Sequence, residues 1–189
     1  MLFSGRITAG SREEKKWIVN TGILALLLFL ADQITKVAIV EHVDFLERIP
    51  VIPGFFNITY ITNKGAAWGM LAGKGWLLLG ISLTVLICII VFISKISDGW
   101  KERYLALMLV VSGIVGNSVD RVFRGEVVDF LQFYIGRFQW PSFNVADSCI
   151  TAGVLLFILS TLFRPEPERG KSGGDKKKMS SPPPFSLKQ

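Results

Sequence analysis

The sequence has few of the side chains on which metal-dependent and nucleophilic catalysis usually depend. It contains one histidine, His42, and two cysteines, Cys88 and Cys149. The absence of an H-E-x-x-H motif or a Cys/His cluster argues against a zinc peptidase. Two cysteines inside apolar runs are typical of small buried hydrophobes rather than of a disulfide. No serine has a histidine or lysine partner that the sequence singles out, which argues against a serine nucleophile. Since the metal-binding motifs are missing as well, we expect neither a metal nor another cofactor.

Long apolar runs, by contrast, are plentiful. Half of the 189 residues are hydrophobic, and the mean hydropathy is +0.46. A run of about 18 or more apolar residues is long enough to cross the hydrocarbon core of a bilayer. Three such runs and a shorter fourth one are present, at 17–40, 76–93, 142–163 and about 103–119. The sequence therefore predicts one membrane-embedded domain, 17–163, with four transmembrane helices.

The segments that flank this domain differ from it in composition. Residues 1–16 are polar and basic, whereas residues 164–189 are rich in Pro, Lys, Ser and Gly. The latter cannot bury enough apolar surface to become ordered, so we expect a disordered tail. Lysines and arginines concentrate in these segments and in the linker after the second helix, which the positive-inside rule assigns to the cytoplasm. Both termini are then cytoplasmic, the two long connections lie outside, and no patch typical of nucleic-acid binding is present.

The first outside connection contains a strand pattern. FFNITYIT, residues 55–62, alternates aromatic and β-branched residues with polar ones, which predicts a short strand or hairpin. The second connection, 122–141, is predicted to be a loop that ends near an interfacial aromatic belt of Phe138, Trp140 and Phe143. The predicted fold is therefore an all-α membrane protein with four transmembrane helices and a small extracytoplasmic platform of two or three strands.

Polar residues that interrupt the apolar pattern fall at one membrane edge. The topology from Lys and Arg places eight of them at the outer ends of the helices or in the outer connections: Asp32, Asn63, Asn117, Asp120, Arg121, Asp129, Asn144 and Asp147. Nothing comparable is expected at the cytoplasmic ends. Carboxylates at the mouths of apolar helices are costly to hold, so such residues are functional candidates by default.

Simpler interpretations exist for three of these residues. Asp32 has Lys36 four residues later, the spacing of an ion pair on a helix surface. Asp120 stands in a cluster of charges with arginines at a helix end, and Asn63 precedes a glycine as a turn residue does. Each of these interpretations accounts for one residue, but none explains why all eight share one depth.

The side chains available at this edge limit the chemistry. Two carboxylates held close together cannot both ionise cheaply, so they share a proton. One can then take a proton from water while the other protonates the reacting carbonyl oxygen or the leaving amine. This is aspartic peptidase chemistry. Asp129 and Asp147 are the better pair because both approach the outer end of the fourth helix, and Asp32 and Asp120 are the reserves.

A second class of function uses the same carboxylates. Intramembrane acids commonly serve as relays, so a small proton- or ion-coupled carrier is the alternative. A relay should have polar residues through the whole depth of the membrane. The inner half of the second, third and fourth predicted helices is expected to carry none, which favours the peptidase.

Four segments of the chain, taken together, resemble a known family. They are DQITK (32–36), NKGAAWG (63–69), GNSVDRVFRGEVVDF (116–130) and FNVADSCITAG (143–153). In this order, and across nearly the whole of residues 17–163, they resemble the bacterial lipoprotein signal peptidases, or signal peptidase II. The tail is not part of the family pattern.

The resemblance implies an aspartic endopeptidase of the bacterial cytoplasmic membrane with its active site at the outer leaflet. Its substrate would be a prolipoprotein whose lipobox cysteine carries a diacylglyceryl group, and cleavage would fall just before that cysteine. Carried over by motif, Asp129 and Asp147 would be the catalytic dyad. Residues that line the site and hold the substrate backbone would be Asn63, Asn117, Arg121 and Asn144, with Asp32 and Asp120 in support. Globomycin-type cyclic peptides would block the site.

Overall fold

The computed structural model describes residues 12–65, 71 and 73–164. Over these residues the chain forms four helices and four strands. In chain order they are α1 Arg12–His42, β1 Arg48–Ile52, β2 Phe56–Asn63, α2 Gly75–Ser97, α3 Lys101–Phe123, β3 Val127–Ile135, β4 Phe138–Gln139 and α4 Val145–Phe163. The predicted disordered tail, apart from Arg164, and most of the predicted N-terminal segment lie outside the described residues, as does most of the NKGAAWG motif.

The four helices confirm the predicted membrane architecture. Each is long and apolar enough to span a bilayer. Helix α1, with 31 residues, is about 46 Å long at 1.5 Å per residue, which exceeds the hydrocarbon core. Helix α3 is the central one, because it packs against the other three and half of its most apolar stretch is buried, against 22% or less for the others.

Close contact between α3 and α4 depends on glycine. A Cβ at Gly113 would lie 2.2 Å from the Ala146 carbonyl oxygen, and one at Gly153 would lie 2.6 Å from the Ala106 carbonyl oxygen. Only small residues allow two helix backbones to approach this closely. Gly113 therefore brings the middle of α3 against the first turn of α4, and Gly153 brings the middle of α4 against the N-terminal half of α3.

The strands form one antiparallel sheet in the order β1-β2-β3-β4. The predicted strand at FFNITYIT is confirmed as β2, which pairs with β1. The predicted loop at 122–141 is wrong, because it contains β3 and β4. Strand β3 has no alternation at its start, where Val127, Val128, Asp129 and Phe130 are all buried, and it is specified by pairing with β2 across more than sixty residues.

The sheet packs on the membrane helices at one end of the bundle. Ile39 and Val43 at the end of α1 form a buried cluster with Val128 and Phe130 of β3. The segment before α4 is tied to the same strand, because Phe143 pairs with Leu131. The end of α1, strand β3 and the start of α4 therefore meet at this end of the bundle.

The opposite end of the bundle holds charged residues that the sequence analysis did not expect. Glu102 and Arg103, at the start of α3, are 5% and 4% exposed. Glu102 accepts from Arg164 Nε at 2.9 Å, and Arg103 Nε donates to Ser160 Oγ at 3.3 Å. The expectation that nothing comparable lies there is wrong, because α3 begins at Lys101 and packs residues counted as linker against the end of α4. The partners of Glu102 and Arg103 lie at the end of α4, so this charge cluster is confined to the end of the bundle opposite the sheet.

Candidate active site

All eight predicted polar residues come together where the sheet meets the helices, with Asn63 and Asp129 in the strands themselves. Five of them line one cavity of about 600 Å³, namely Asn63, Asn117, Arg121, Asp129 and Asp147. The other three, Asp32, Asp120 and Asn144, are 0–1% exposed and do not line it. The residues that could contact a substrate are thus separated from a buried set that contacts only protein.

Asp129 lies in β3 and is 2% exposed. Asn63 Nδ2 donates to Asp129 Oδ2 at 3.1 Å, and Asn144 Nδ2 donates to Asp129 Oδ1 at 2.8 Å. Burial, together with the nearby charge of Asp147, raises the pKa of Asp129 to about 7, against the lowering effects of Asn63, Lys36 and Asn144. A carboxyl group with this pKa can hold or release a proton near neutral pH.

Asp147 is fixed by the start of α4. Asn144 is the N-cap, not a residue within the helix, and its Oδ1 accepts from the Asp147 backbone N–H at 2.9 Å. Asp147 Oδ2 in turn accepts from the Asn144 backbone N–H at 3.3 Å, which completes a capping box. Asn117 Nδ2 donates to Asp147 Oδ1 at 2.7 Å. The carboxylate is thus held in the first turn, where the helix dipole favours negative charge.

One side chain, that of Asn144, bonds to both carboxylate-bearing residues. Its Nδ2 donates to Asp129, while its Oδ1 caps Asp147. Asn144 Nδ2 is also 3.1 Å from the Val128 carbonyl oxygen. The N-V-A-D spacing of the sequence therefore places an amide between the strand that carries one carboxylate and the helix that carries the other.

Two further polar residues of the cavity wall, Arg121 and Asn63, are held by hydrogen bonds to backbone groups. Arg121 donates to the Asn117 carbonyl oxygen at 3.2 Å and to the Gly65 carbonyl oxygen at 3.3 Å. Asn63 Oδ1 accepts from the Gly65 backbone N–H at 2.9 Å, as a turn residue does. Asn63 therefore makes both kinds of contact, because its oxygen forms the turn while its amide group donates to Asp129.

Sequence reasoning missed the importance of Lys36. Its ammonium is 0% exposed and lies 2.9 Å from Asp32 Oδ2 and 2.8 Å from Asp120 Oδ2. The ion pairs proposed from spacing do exist, Asp32 with Lys36 and Asp120 with Arg124, but the carboxylates are buried. The signal was a lysine one turn after an aspartate inside a membrane helix, where a charge without a partner is costly.

The rest of the cavity wall is mainly apolar. Trp140 and Phe143 line it beside the sheet, and Ile150 and Leu155 extend it along α4 toward the middle of the membrane helix. Among residues 12–65, 71 and 73–164, no group of three or more His, Cys, Asp or Glu side chains is arranged to hold a metal ion. The site thus combines two carboxylates, amides and one arginine with an apolar wall on a membrane helix.

A family model described as Signal peptidase (SPase) II matches residues 24–163, a range that includes all eight polar residues. The chain belongs to the signal peptidase II family. The resemblance inferred from the four sequence motifs is therefore confirmed, and the chain is a membrane peptidase.

Curated relatives and solved structures agree with this membership. A lipoprotein signal peptidase of Geobacillus kaustophilus is 41% identical over 147 residues, which cover 78% of this chain and 96% of that protein. One of Syntrophus aciditrophicus is 43% identical over 155 residues, 78% of this chain and 95% of that protein. A bacterial membrane enzyme solved by the in meso method at 2.3 Å resolution matches with a TM-score of 0.70 and 39% identity, covering 76% of this chain and 88% of the other. A second such structure, at 1.9 Å, matches with a TM-score of 0.69.

Proposed function

We propose that the chain is an aspartic endopeptidase that removes the signal peptide from diacylglyceryl-modified prolipoproteins, with cleavage just before the lipidated cysteine. The observation that carries the proposal is that Asp129 and Asp147 line one cavity and are joined through Asn144. Membership of the signal peptidase II family supports the substrate class. The carrier alternative is not favoured by that membership.

The proposed chemistry requires one proton to be shared by the two carboxyl groups. The pKa of Asp129 is raised to about 7 by burial and by the charge of Asp147, so near neutral pH the pair can hold one proton between them. The ionised carboxylate takes a proton from water, and the resulting hydroxide attacks the scissile carbonyl carbon while the protonated partner donates to the carbonyl oxygen. The carboxyl group that took the proton from water then gives it to the leaving amine, and its partner takes back a proton from a hydroxyl group of the tetrahedral intermediate. The C–N bond breaks, a new carboxyl terminus forms, and the dyad again holds one proton.

The polar residues of the cavity wall divide into two proposed roles. Asn63, Asn117 and Arg121 line the cavity and can bind the backbone of an extended peptide. Asn144 was expected to do the same, but it is fully buried and all of its bonds are internal. We therefore assign Asn144 the role of orienting the dyad. Asp32 and Asp120 would support the dyad from the buried side, away from the cavity.

The proposed orientation in the membrane places the sheet and the cavity at the outer leaflet of the bacterial cytoplasmic membrane. Basic residues concentrate in residues 1–16, at the facing ends of α2 and α3 (Lys95, Lys101 and Arg103) and after α4, which favours a cytoplasmic location for these parts of the chain. In this arrangement the lipid chains of the substrate stay in the bilayer beside the apolar wall formed by Ile150 and Leu155. Residues 17–163 would form the catalytic domain, 1–16 and 164–189 would lie outside it, and globomycin-type cyclic peptides would compete for the cavity.

A cleavage assay with two forms of one substrate tests this function. Purified protein in detergent is given a prolipoprotein whose lipobox cysteine carries diacylglyceryl, and in parallel the same prolipoprotein without the lipid. Cleavage is followed by gel shift, and the new N-terminus is identified by mass spectrometry. The proposal predicts cleavage of the lipidated form only, immediately before the cysteine. Failure of the folded protein to cleave the lipidated form would overturn the peptidase assignment and favour the carrier.

A further inference from the structure

Lys36 does not line the cavity, yet each of its three hydrogen-bond partners is in turn bonded to Asp129 or Asp147, or to the residue before one of them. An ammonium has three N–H donors and no acceptor. Lys36 Nζ has three acceptors within reach, Asp32 Oδ2 at 2.9 Å, Asp120 Oδ2 at 2.8 Å and Asn117 Oδ1 at 3.0 Å. Its donors are thus matched by partners on α1 and α3.

The second oxygen of Asp32 and the carboxylate of Asp120 reach backbone groups next to the dyad. Asp32 Oδ1 accepts from the backbone N–H of Ala146 at 2.8 Å, and Asp120 Oδ2 accepts from that of Val128 at 3.3 Å. Ala146 immediately precedes Asp147, and Val128 immediately precedes Asp129. Each carboxylate bound by Lys36 therefore holds the peptide group adjacent to one member of the dyad.

The third partner of Lys36 reaches the dyad through a side chain. Asn117 accepts from Lys36 with its Oδ1, which orients its Nδ2 toward Asp147 Oδ1 at 2.7 Å. Space around this arrangement is tight, because a Cβ at Gly116 would lie 2.6 Å from Asp32 Oδ2. The cluster thus has little freedom to rearrange.

Stability alone is a weak explanation for such a cluster. Taking an ammonium and two carboxylates out of water is costly, and buried ion pairs can often be replaced by apolar residues without loss of stability. What the cluster does provide is a rigid link between α1, α3, β3 and the first turn of α4, the elements that carry the site.

We propose that Lys36 is a positioning residue for the Asp129–Asp147 dyad, acting through Asp32, Asp120 and Asn117 on the backbone and side-chain donors that hold the two carboxylates. This inference rests on the proposed peptidase function. Lys36 does not line the cavity and is not assigned contact with substrate. Its loss should therefore lower kcat rather than raise KM.

The charge of Lys36 also acts on the dyad. Burial raises the pKa of Asp129 most, the charge of Asp147 raises it further, and Lys36 lowers it. The charged groups around the dyad are Asp32 and Lys36 on α1, Asp120, Arg121 and Arg124 on α3, and Asp147 on α4. Removing the positive charge should raise the pKa of Asp129, so the pH range of activity should move upward.

Two variants separate charge from positioning. Lys36→Met removes both the charge and the three hydrogen bonds. Lys36→Met/Asp32→Asn removes one positive and one negative charge, so the charge balance near the dyad is kept and fewer uncompensated buried carboxylates remain. Lys95→Met, an exposed lysine in the last turn of α2, is the matched control.

The measurements are kcat, KM and the pH profile of cleavage of the lipidated prolipoprotein, with thermal unfolding in detergent as the check on folding. We expect kcat to fall about 10²-fold in both Lys36 variants with KM close to parental, because a displacement of about 1 Å at a catalytic group can cost that much. The pH profile should shift upward in Lys36→Met and return toward the parental profile in the double variant. Lys95→Met should match the parent.

A parental kcat in the folded double variant would overturn the positioning role. If neither variant folds, Lys36 is a stability residue and the proposal is likewise overturned. These failures are distinct from failure of the proposed function, in which the parent itself would not cleave.

Discussion

Asn144 Nδ2 donates to Asp129 Oδ1 at 2.8 Å from a side chain that is itself fully buried. The oxygen of the same amide caps the helix that begins with Asp147. A single residue therefore sets the position of the strand carboxylate relative to the helix carboxylate. Because the two groups are proposed to share one proton, their relative position is what the rest of the site has to preserve.

The two functions of Asn144 can be separated by substitution. Serine is about as good an N-cap as asparagine, so Asn144→Ser should keep α4 capped. It removes the N–H donor to Asp129, and a hydrogen bond to a charged group contributes about 1.5–3 kcal/mol. We expect the activity of the folded variant to fall at least about 10-fold, with α4 still capped and Tm lowered only by the lost hydrogen bond. The measurement is cleavage kinetics with thermal unfolding in detergent.

Asn57→Ser provides the control for Asn144→Ser. Asn57 is a buried residue of β2 that donates to Gln132 Oε1 at 3.2 Å, within the sheet rather than at the dyad. Its substitution should leave kcat near the parental value. Equal loss of kcat in both variants would indicate a general effect of losing a buried amide and would contradict the role given to Asn144.

The raised pKa of Asp129 predicts how stability depends on pH. The pKa of an aspartate in the unfolded chain is about 3.9, whereas the pKa of Asp129 in the folded protein is about 7. The folded state therefore binds the proton more tightly, and the stability from this group is present below about pH 4 and is lost as pH rises through about 7. Asp129→Asn removes this dependence. Relative to the parent, the variant should gain Tm between pH 5 and pH 8, and an unchanged difference at the two pH values would contradict the assignment.

The glycine contact between α3 and α4 predicts a steric effect. Gly113→Ala would bring a Cβ within 2.2 Å of the Ala146 carbonyl oxygen, and that oxygen belongs to backbone that cannot move without moving Asp147. Overpacking of this kind typically costs about 1–3 kcal/mol. We expect a lower Tm and a loss of activity.

Gly80→Ala is the matched helix control for Gly113→Ala. A Cβ at Gly80, in α2, would meet nothing within 4 Å. Alanine in the interior of a helix is more favourable than glycine by about 1 kcal/mol, so this variant should be at least as stable as the parent. Parental Tm and activity in Gly113→Ala would show that α3 and α4 are further apart than described.

The charge cluster at the opposite end of the bundle predicts an effect on stability alone. Glu102→Gln removes the buried charge that faces Arg164, whose own side chain is 33% exposed, so the pair is only partly buried and its loss should be moderately destabilising. Tm should fall, but the kcat of the folded fraction should stay parental, because the cluster is remote from the dyad. Glu13→Gln, at an exposed position in the first turn of α1, should change neither value. A drop in kcat for Glu102→Gln would indicate coupling between the two ends.

Local sequence was sufficient for the features that depend on composition and short spacing. Apolar runs predicted the four helices, and alternation predicted β2. It was insufficient for β3, because that strand is defined by pairing with a segment more than sixty residues earlier. Periodicity carries no information about such a partner.

Lys36 and Glu102 illustrate the same limit for charged residues. In the sequence, Lys36 has the spacing of an ordinary surface ion pair, and Glu102 belongs to a short polar linker. Both are buried because α3 passes through the centre of the bundle. Lys36 on α1 there meets Asp120 on α3, and Glu102 on α3 meets Ser160 on α4. Burial of a charge is a property of the assembled helices, so it cannot be obtained from spacing along one of them.

The most direct test of the dyad is a comparison of three aspartate variants on the lipidated prolipoprotein. Asp129→Asn and Asp147→Asn keep the size of each side chain but remove its acid–base function, whereas Asp44→Asn changes an exposed aspartate just after α1. Single-turnover cleavage would be measured with each variant shown to be folded by thermal unfolding. We expect no measurable cleavage by the first two variants and parental cleavage by Asp44→Asn. Cleavage that survives in a folded Asp129→Asn or Asp147→Asn variant would contradict the assignment of the dyad.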